Sequence, residues 1–148
     1  MAFAHVRVAL ILAAAGAVGC SSGVHWRGIE FNSVHAVSRR EQKLTFVYMR
    51  SPYLVECTRF EDAVLLDPAV RGVLNGGDFN PVPLDFSWDW RLAERWGLER
   101  PPAYAIVGPD DELLAHGFGE ITVAQLLDAL NGAKQRLAEK ARASSRSG

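Results

Sequence analysis

Apolar positions follow two different rhythms along this chain, and the switches between them mark its elements. Phe31, Val34, His35 and Ser38 stand three and four apart in an otherwise polar stretch, which predicts a helix. Leu44-Thr45-Phe46-Val47-Tyr48-Met49 then runs without a break and is rich in β-branched and aromatic residues, which predicts a strand. After Arg50-Ser51-Pro52 the segment from Tyr53 to Leu66 offers Val55, Phe60, Val64 and Leu65 as the inward side of a second helix. Asp67 and Pro68 suit the cap and first turn of a third, which Asn75-Gly76-Gly77 ends. Phe79 to Phe86 is strand-like, with Pro81 and Pro83 predicting short or irregular ladder bonding, and Trp88 to Trp96 reads as a helix closed by Gly97. Ala103 to Val107 is a buried strand, Gly108-Pro109-Asp110-Asp111 turns the chain, and Glu112 to Phe118 returns as the second arm of a hairpin. Thr122 caps a last helix with Val123, Leu126, Leu127 and Leu130 on one face. The Ser/Arg-rich end, residues 141–148, has nothing to bury and is expected to be disordered. This order predicts an α/β domain over residues 29–140, a central mixed sheet with flanking helices.

The first twenty residues do not belong to that pattern. One Arg near the start, an apolar run of twelve residues from Val8 to Gly19, and small residues at its end describe a signal peptide over residues 1–19, too short to span a bilayer. Ala17-Val18-Gly19-Cys20 resembles the bacterial lipobox, which implies that Cys20 becomes the lipidated N-terminus, residues 20–28 a tether, and the cell envelope the destination. Ala17 stands where Leu is usual, so cleavage by the ordinary signal peptidase is the alternative.

Composition narrows the chemistry. The chain of 148 residues carries 16 Lys plus Arg against 17 Asp plus Glu, so it lacks the basic excess of a nucleic-acid binder. Its 2 cysteines, Cys20 and Cys57, do not have the spacing of a zinc site, and His25, His35 and His116 stand near no acid or cysteine at ligand spacing. No metal or other cofactor is expected. With Cys20 lipidated, the mature chain holds one thiol, Cys57, and an internal disulfide is impossible.

From about Ile29 to Leu130 the chain resembles the thioredoxin superfamily. The resemblance is carried by Leu44-Thr45-Phe46-Val47-Tyr48-Met49 leading into Ser51-Pro52-Tyr53-Leu54-Val55-Glu56-Cys57, then Asp67-Pro68-Ala69-Val70, Val82-Pro83-Leu84-Asp85, Pro102-Ala103-Tyr104-Ala105-Ile106-Val107 and Pro109-Asp110-Asp111. It implies a thioredoxin-like fold and a site where the second helix begins. There the family carries a C-x-x-C pair, and here the four positions read Leu54-Val55-Glu56-Cys57. The attacking sulfur is replaced by Leu54, and Tyr48 occupies the place of the family's buried proton-transfer acid. Glu56 puts a negative charge where a thiolate would need a positive one. Pro102 aligns with the family's cis-proline, which implies that the loop Pro101-Pro102-Ala103, together with Tyr53 and Leu54, offers backbone groups to an extended peptide.

Two function classes follow. One is a membrane-tethered, non-catalytic module that binds a protein or peptide client. The other is a thiol protein acting through Cys57 alone, by mixed disulfide with glutathione or a partner protein. Trp88, Trp90 and Trp96 are expected to pack into the core.

Overall fold

The computed structural model describes residues 23–148; the expected signal peptide and Cys20 lie outside the described residues. The elements run α1 (Phe31–Glu41), β1 (Leu44–Arg50), α2 (Val55–Phe60), which continues through a π-helical turn over Glu61–Leu65, α3 (Pro68–Leu74), β2 (Phe79–Asp85), α4 (Trp90–Arg95), β3 (Ala103–Val107), β4 (Leu113–Phe118) and α5 (Val123–Arg146). The four strands form one sheet in the order β2-β1-β3-β4, with β2 parallel to β1, β3 antiparallel to β1, and β4 antiparallel to β3.

Strand β1 has no exposed face between Leu44 and Met49. Alternate side chains point to opposite sides of the sheet, so its apolar run fills two cores at once. Leu44, Phe46 and Tyr48 pack with residues of α3, α5 and the long second helix, while Val47 and Met49 pack with Val34 of α1 and with Ala93, Trp96 and Leu98 around α4. Thr45 falls on the second face and is satisfied there. The buried His35 ring contacts Thr45 Oγ1 at 2.8 Å and Asp111 Oδ1 at 2.6 Å, and Thr45 also bonds Ser38, to which Asn80 donates at 3.1 Å. This network pins α1 to the sheet and to the β3-β4 turn.

The two prolines of β2 do not disturb its pairing with β1, which runs in continuous register from Leu44 opposite Phe79 to Arg50 opposite Asp85. Leu44 donates to Asp78 and Phe86 donates to Arg50, so the backbone groups of even-numbered residues face β1. Pro81 and Pro83 therefore face outward, where a missing N–H costs the ladder nothing. That outer edge is covered by the segment before α1. Arg27 N–H donates to the Pro81 carbonyl at 2.8 Å, His25 N–H to Asn75 Oδ1, and Asn75 Nδ2 to the Gly23 carbonyl. The described part of the expected tether is thus seated on the domain.

Two further expectations meet a different arrangement. Helix α5 does not stop at residue 140 but runs to Arg146: Ala141, Arg142 and Ala143 are strong helix formers, and Ser145 Oγ bonds the Ala141 carbonyl at 3.0 Å. Of the three tryptophans expected inside, only Trp96 is buried. Trp88 precedes α4 and is 86% exposed, and Trp90, its first residue, is 52% exposed.

The caps follow the sequence closely. Thr122 and Gln125 form a reciprocal capping box on α5, and Asp67 accepts the backbone N–H of Ala69 at 2.9 Å and of Val70 at 3.3 Å ahead of Pro68. Asp67→Ala is expected to cost about 1 kcal/mol of unfolding free energy, the usual value for a lost cap, read from the urea midpoint at unchanged slope.

Candidate functional site

The end of β1 delivers the chain to the site. Arg50 is the first exposed residue of the strand, and the turn that follows is closed by Leu54 N–H donating to the Ser51 carbonyl at 3.3 Å. Leu54 then takes the cap position of α2 in an extended conformation, with no side-chain oxygen to offer, and its side chain is 38% exposed. Cys57 lies one turn further in and points the other way. It is 1% exposed, and its Sγ accepts the backbone N–H of Ser51 at 3.4 Å. The exposed position of the four-residue motif is a leucine, and the sulfur is a buried acceptor that helps hold the turn.

Beneath this turn lies a group that sequence reasoning missed. The Tyr48 hydroxyl donates to Glu61 Oε1 at 3.0 Å and approaches the Cys57 carbonyl at 3.5 Å, and Arg50 Nε lies 3.3 Å from the same Glu61 oxygen. Glu61 is four residues after Cys57, hence on the same helix side, and it opens the π-helical turn in which Leu66 N–H reaches back to the Glu61 carbonyl. A carboxylate thus stands next to the motif, supplied by the helix. The spacing Cys57 to Glu61 carried that signal. Burial, and then the negative charge of Glu61, push the Tyr48 phenol well above its ordinary range.

On the outer side of α2 a groove of about 520 Å³ opens between the helix, the Pro101-Pro102 loop and the β4-α5 connection. Leu54, Phe60, Val64, Pro102 and Ile121 give it apolar walls, and Arg59 and Arg100 face it alongside Glu56 and Glu120, so its rim carries both signs equally. Arg100 lies over the Phe118 ring at 5.6 Å and crosses the backbone at Gly119, whose φ of +79° and lack of a Cβ leave room for the guanidinium.

The structure brings Leu54, Pro101 and Pro102 together in this groove and leaves the other expected residues outside it. Tyr53 projects from the turn, 93% exposed. Ala103 is buried in β3, opposite Met49 on one side and Phe118 on the other, so it is a sheet residue and not a contact for a ligand. The Pro101–Pro102 peptide bond is cis. The expectation that this loop offers both backbone donors and acceptors needs correction, because neither proline has an N–H and the Pro102 carbonyl already accepts from Gly119 N–H at 2.8 Å. Among the described residues no three His, Cys, Asp or Glu side chains come together as a metal site.

Sheet order, the helix launched from the end of β1 and the proline loop facing it define a thioredoxin-like fold. The comparisons agree. No family model and no curated protein matches the sequence. Among solved structures, a thioredoxin from Thermus thermophilus superposes with a TM-score of 0.64 at 21% identity, over 73% of this chain and 86% of that one. A putative disulphide-isomerase from Bacteroides thetaiotaomicron gives 0.63 at 21% identity, over 76% of this chain and 94% of that one. A protein described as DsbH oxidoreductase gives 0.60 at 14% identity, over 88% of this chain and 95% of that one.

The environment of Tyr48 has a measurable consequence. Its folded-state pKa lies above the unfolded value of about 10, so the stabilisation it reflects is complete below that pH and declines as pH rises further, when only the unfolded chain gives up the proton. Burial raises the Tyr104 phenol as well, adding to the same alkaline decline. Tyr48→Phe is expected to cost about 1 kcal/mol at neutral pH through the lost hydrogen bond to Glu61, and to flatten the fall in stability above pH ~10. Urea unfolding at neutral and alkaline pH checks both parts.

Proposed function

We propose that this domain is a membrane-tethered, non-catalytic binding module that takes apolar side chains of a protein or peptide client in the groove beside Leu54 and Pro102. The observation that carries the reading is the placement of sulfur. Forming a disulfide removes two electrons and two protons from two thiols, and the chain beyond Cys20 has one thiol, buried and already accepting the Ser51 N–H. The position from which an attack would start is the exposed Leu54, which forms part of the groove wall. With few backbone donors in the proline loop, binding rests on apolar burial in the groove and not on added-strand pairing.

The domain is expected to show no insulin-reducing turnover with dithiothreitol. Leu54→Cys should fold, at a cost within about 1–2 kcal/mol, and gain a measurable trace of it, since the new thiol supplies the missing second step. Insulin reduction by the unmodified chain, abolished by Cys57→Ser, would replace this reading with a single-thiol enzyme that works by mixed disulfide with an external thiol such as glutathione.

The tether is a separate part of the proposal. Export and lipidation at Cys20 rest on Ala17-Val18-Gly19-Cys20 behind the apolar run from Val8. The wild-type chain expressed in a bacterial host should partition with membranes and incorporate labelled fatty acid, and Cys20→Ala should lose both. Retention of the lipid label by Cys20→Ala would refute the anchor.

A further inference from the structure

We infer that the domain lies edge-on against the lipid bilayer, with Ile29, Trp88 and Trp90 seated in its interfacial layer. The inference rests on the lipid anchor proposed above and adds an orientation to it. Scattered surface apolar residues are ordinary, and their grouping is what matters here. Ile29 is 84% exposed, and it shares one surface depression with the exposed Trp88 and Trp90, so three large apolar side chains stand together in water.

Their position relative to the anchor selects the occupant. The chain leaving Cys20 comes into view at Gly23, is held at the end of α3 by the bonds of Gly23 and His25 to Asn75, meets the outer edge of β2 where Arg27 bonds Pro81, and reaches the patch at Ile29. Trp26, also exposed, lies along the same path. An anchored lipid three residues before Gly23 holds this edge close to the bilayer, and docking the segment on β2 prevents it from stretching away. Tryptophan suits the headgroup boundary because its ring is apolar and its indole N–H remains available to water and ester oxygens. Arg91 lies over the Trp90 ring at 5.4 Å and can keep its guanidinium at the polar level while the ring enters.

Net charge contributes little. Arg91 and Arg95 in this depression are matched by Glu30 and Asp89, so the contact does not depend on anionic lipid and should form on neutral lipid as well. In this orientation the opposite edge of the sheet, β4, points away from the membrane.

The test uses the full chain processed in a bacterial host and reconstituted into phosphatidylcholine vesicles. An environment-sensitive fluorophore is placed on Asn32→Cys, in the same depression, or on His116→Cys, on β4, with the buried Cys57 left unlabelled. The label at residue 32 is expected to shift to the blue and to lose emission to brominated lipid, while the label at residue 116 stays water-like. Trp88→Ser combined with Trp90→Ser should return the label at residue 32 to a water-like spectrum while the protein still sediments with the vesicles. Sedimentation with a water-like label at residue 32 in the otherwise unchanged chain overturns the docking and leaves the anchor standing, which would hand the patch to a protein partner. Equal shifts at both positions overturn the edge-on orientation. Protein left in the supernatant overturns the anchor, and the docking with it.

Discussion

Everything in this domain hangs on a strand whose residues from Leu44 to Met49 never meet water. Because β1 is paired with β2 on one side and β3 on the other and is covered on both faces, its six residues from Leu44 to Met49 settle the sheet order and both helical layers together. Fully burying one such side chain is worth about 1.5–3 kcal/mol, and this run buries several of them side by side. Its end is also the site. A strand locked this firmly leaves Arg50 and the turn from Ser51 to Leu54 with little freedom, and rigid placement is what a groove built from a turn, a helix and a facing loop requires.

The polar groups under that turn show how the site accommodates a buried phenol. Tyr48 is large enough to fill the space on the α2 side of β1, and its hydroxyl needs a partner once buried. Glu61 provides it at the start of the π-helical turn and is itself balanced by Arg50. The three residues form a charge-compensated chain from the exposed strand end to the buried phenol.

Much of this was legible in the sequence because it depends on local signals. The break between helical and strand rhythms located every strand, the Asp67-Pro68 and Thr122 caps announced α3 and α5, and the ordered motifs pointed to a thioredoxin-like fold. Leu54, Pro101 and Pro102 do come together. What escaped depends on contacts between distant parts of the chain or on the direction of a side chain. Trp88 and Trp90 have the composition of core residues, yet α4 is short and its inward side is already filled by Ala93 and Trp96. Pro81 and Pro83 look like strand breakers until their shared parity places both missing N–H groups on the outer edge. Ala103 follows the proline loop in sequence but belongs to β3, and residues 141–146 continue α5 because good helix formers extend a helix already nucleated and docked upstream.

Two residues of the site act in the same direction. Leu54 gives the groove apolar surface and no nucleophile, and Pro101 gives it apolar surface and no backbone donor. Together they wall the concave surface between α2 and the loop, where Pro101 and Pro102 have no N–H and the Pro102 carbonyl is already bonded to Gly119. An apolar surface of this shape can exclude water from a complementary side chain. That capacity needs no electron acceptor, no second thiol and no titrating group, and it fits a site whose Cys57 sulfur is turned inward to the Ser51 N–H.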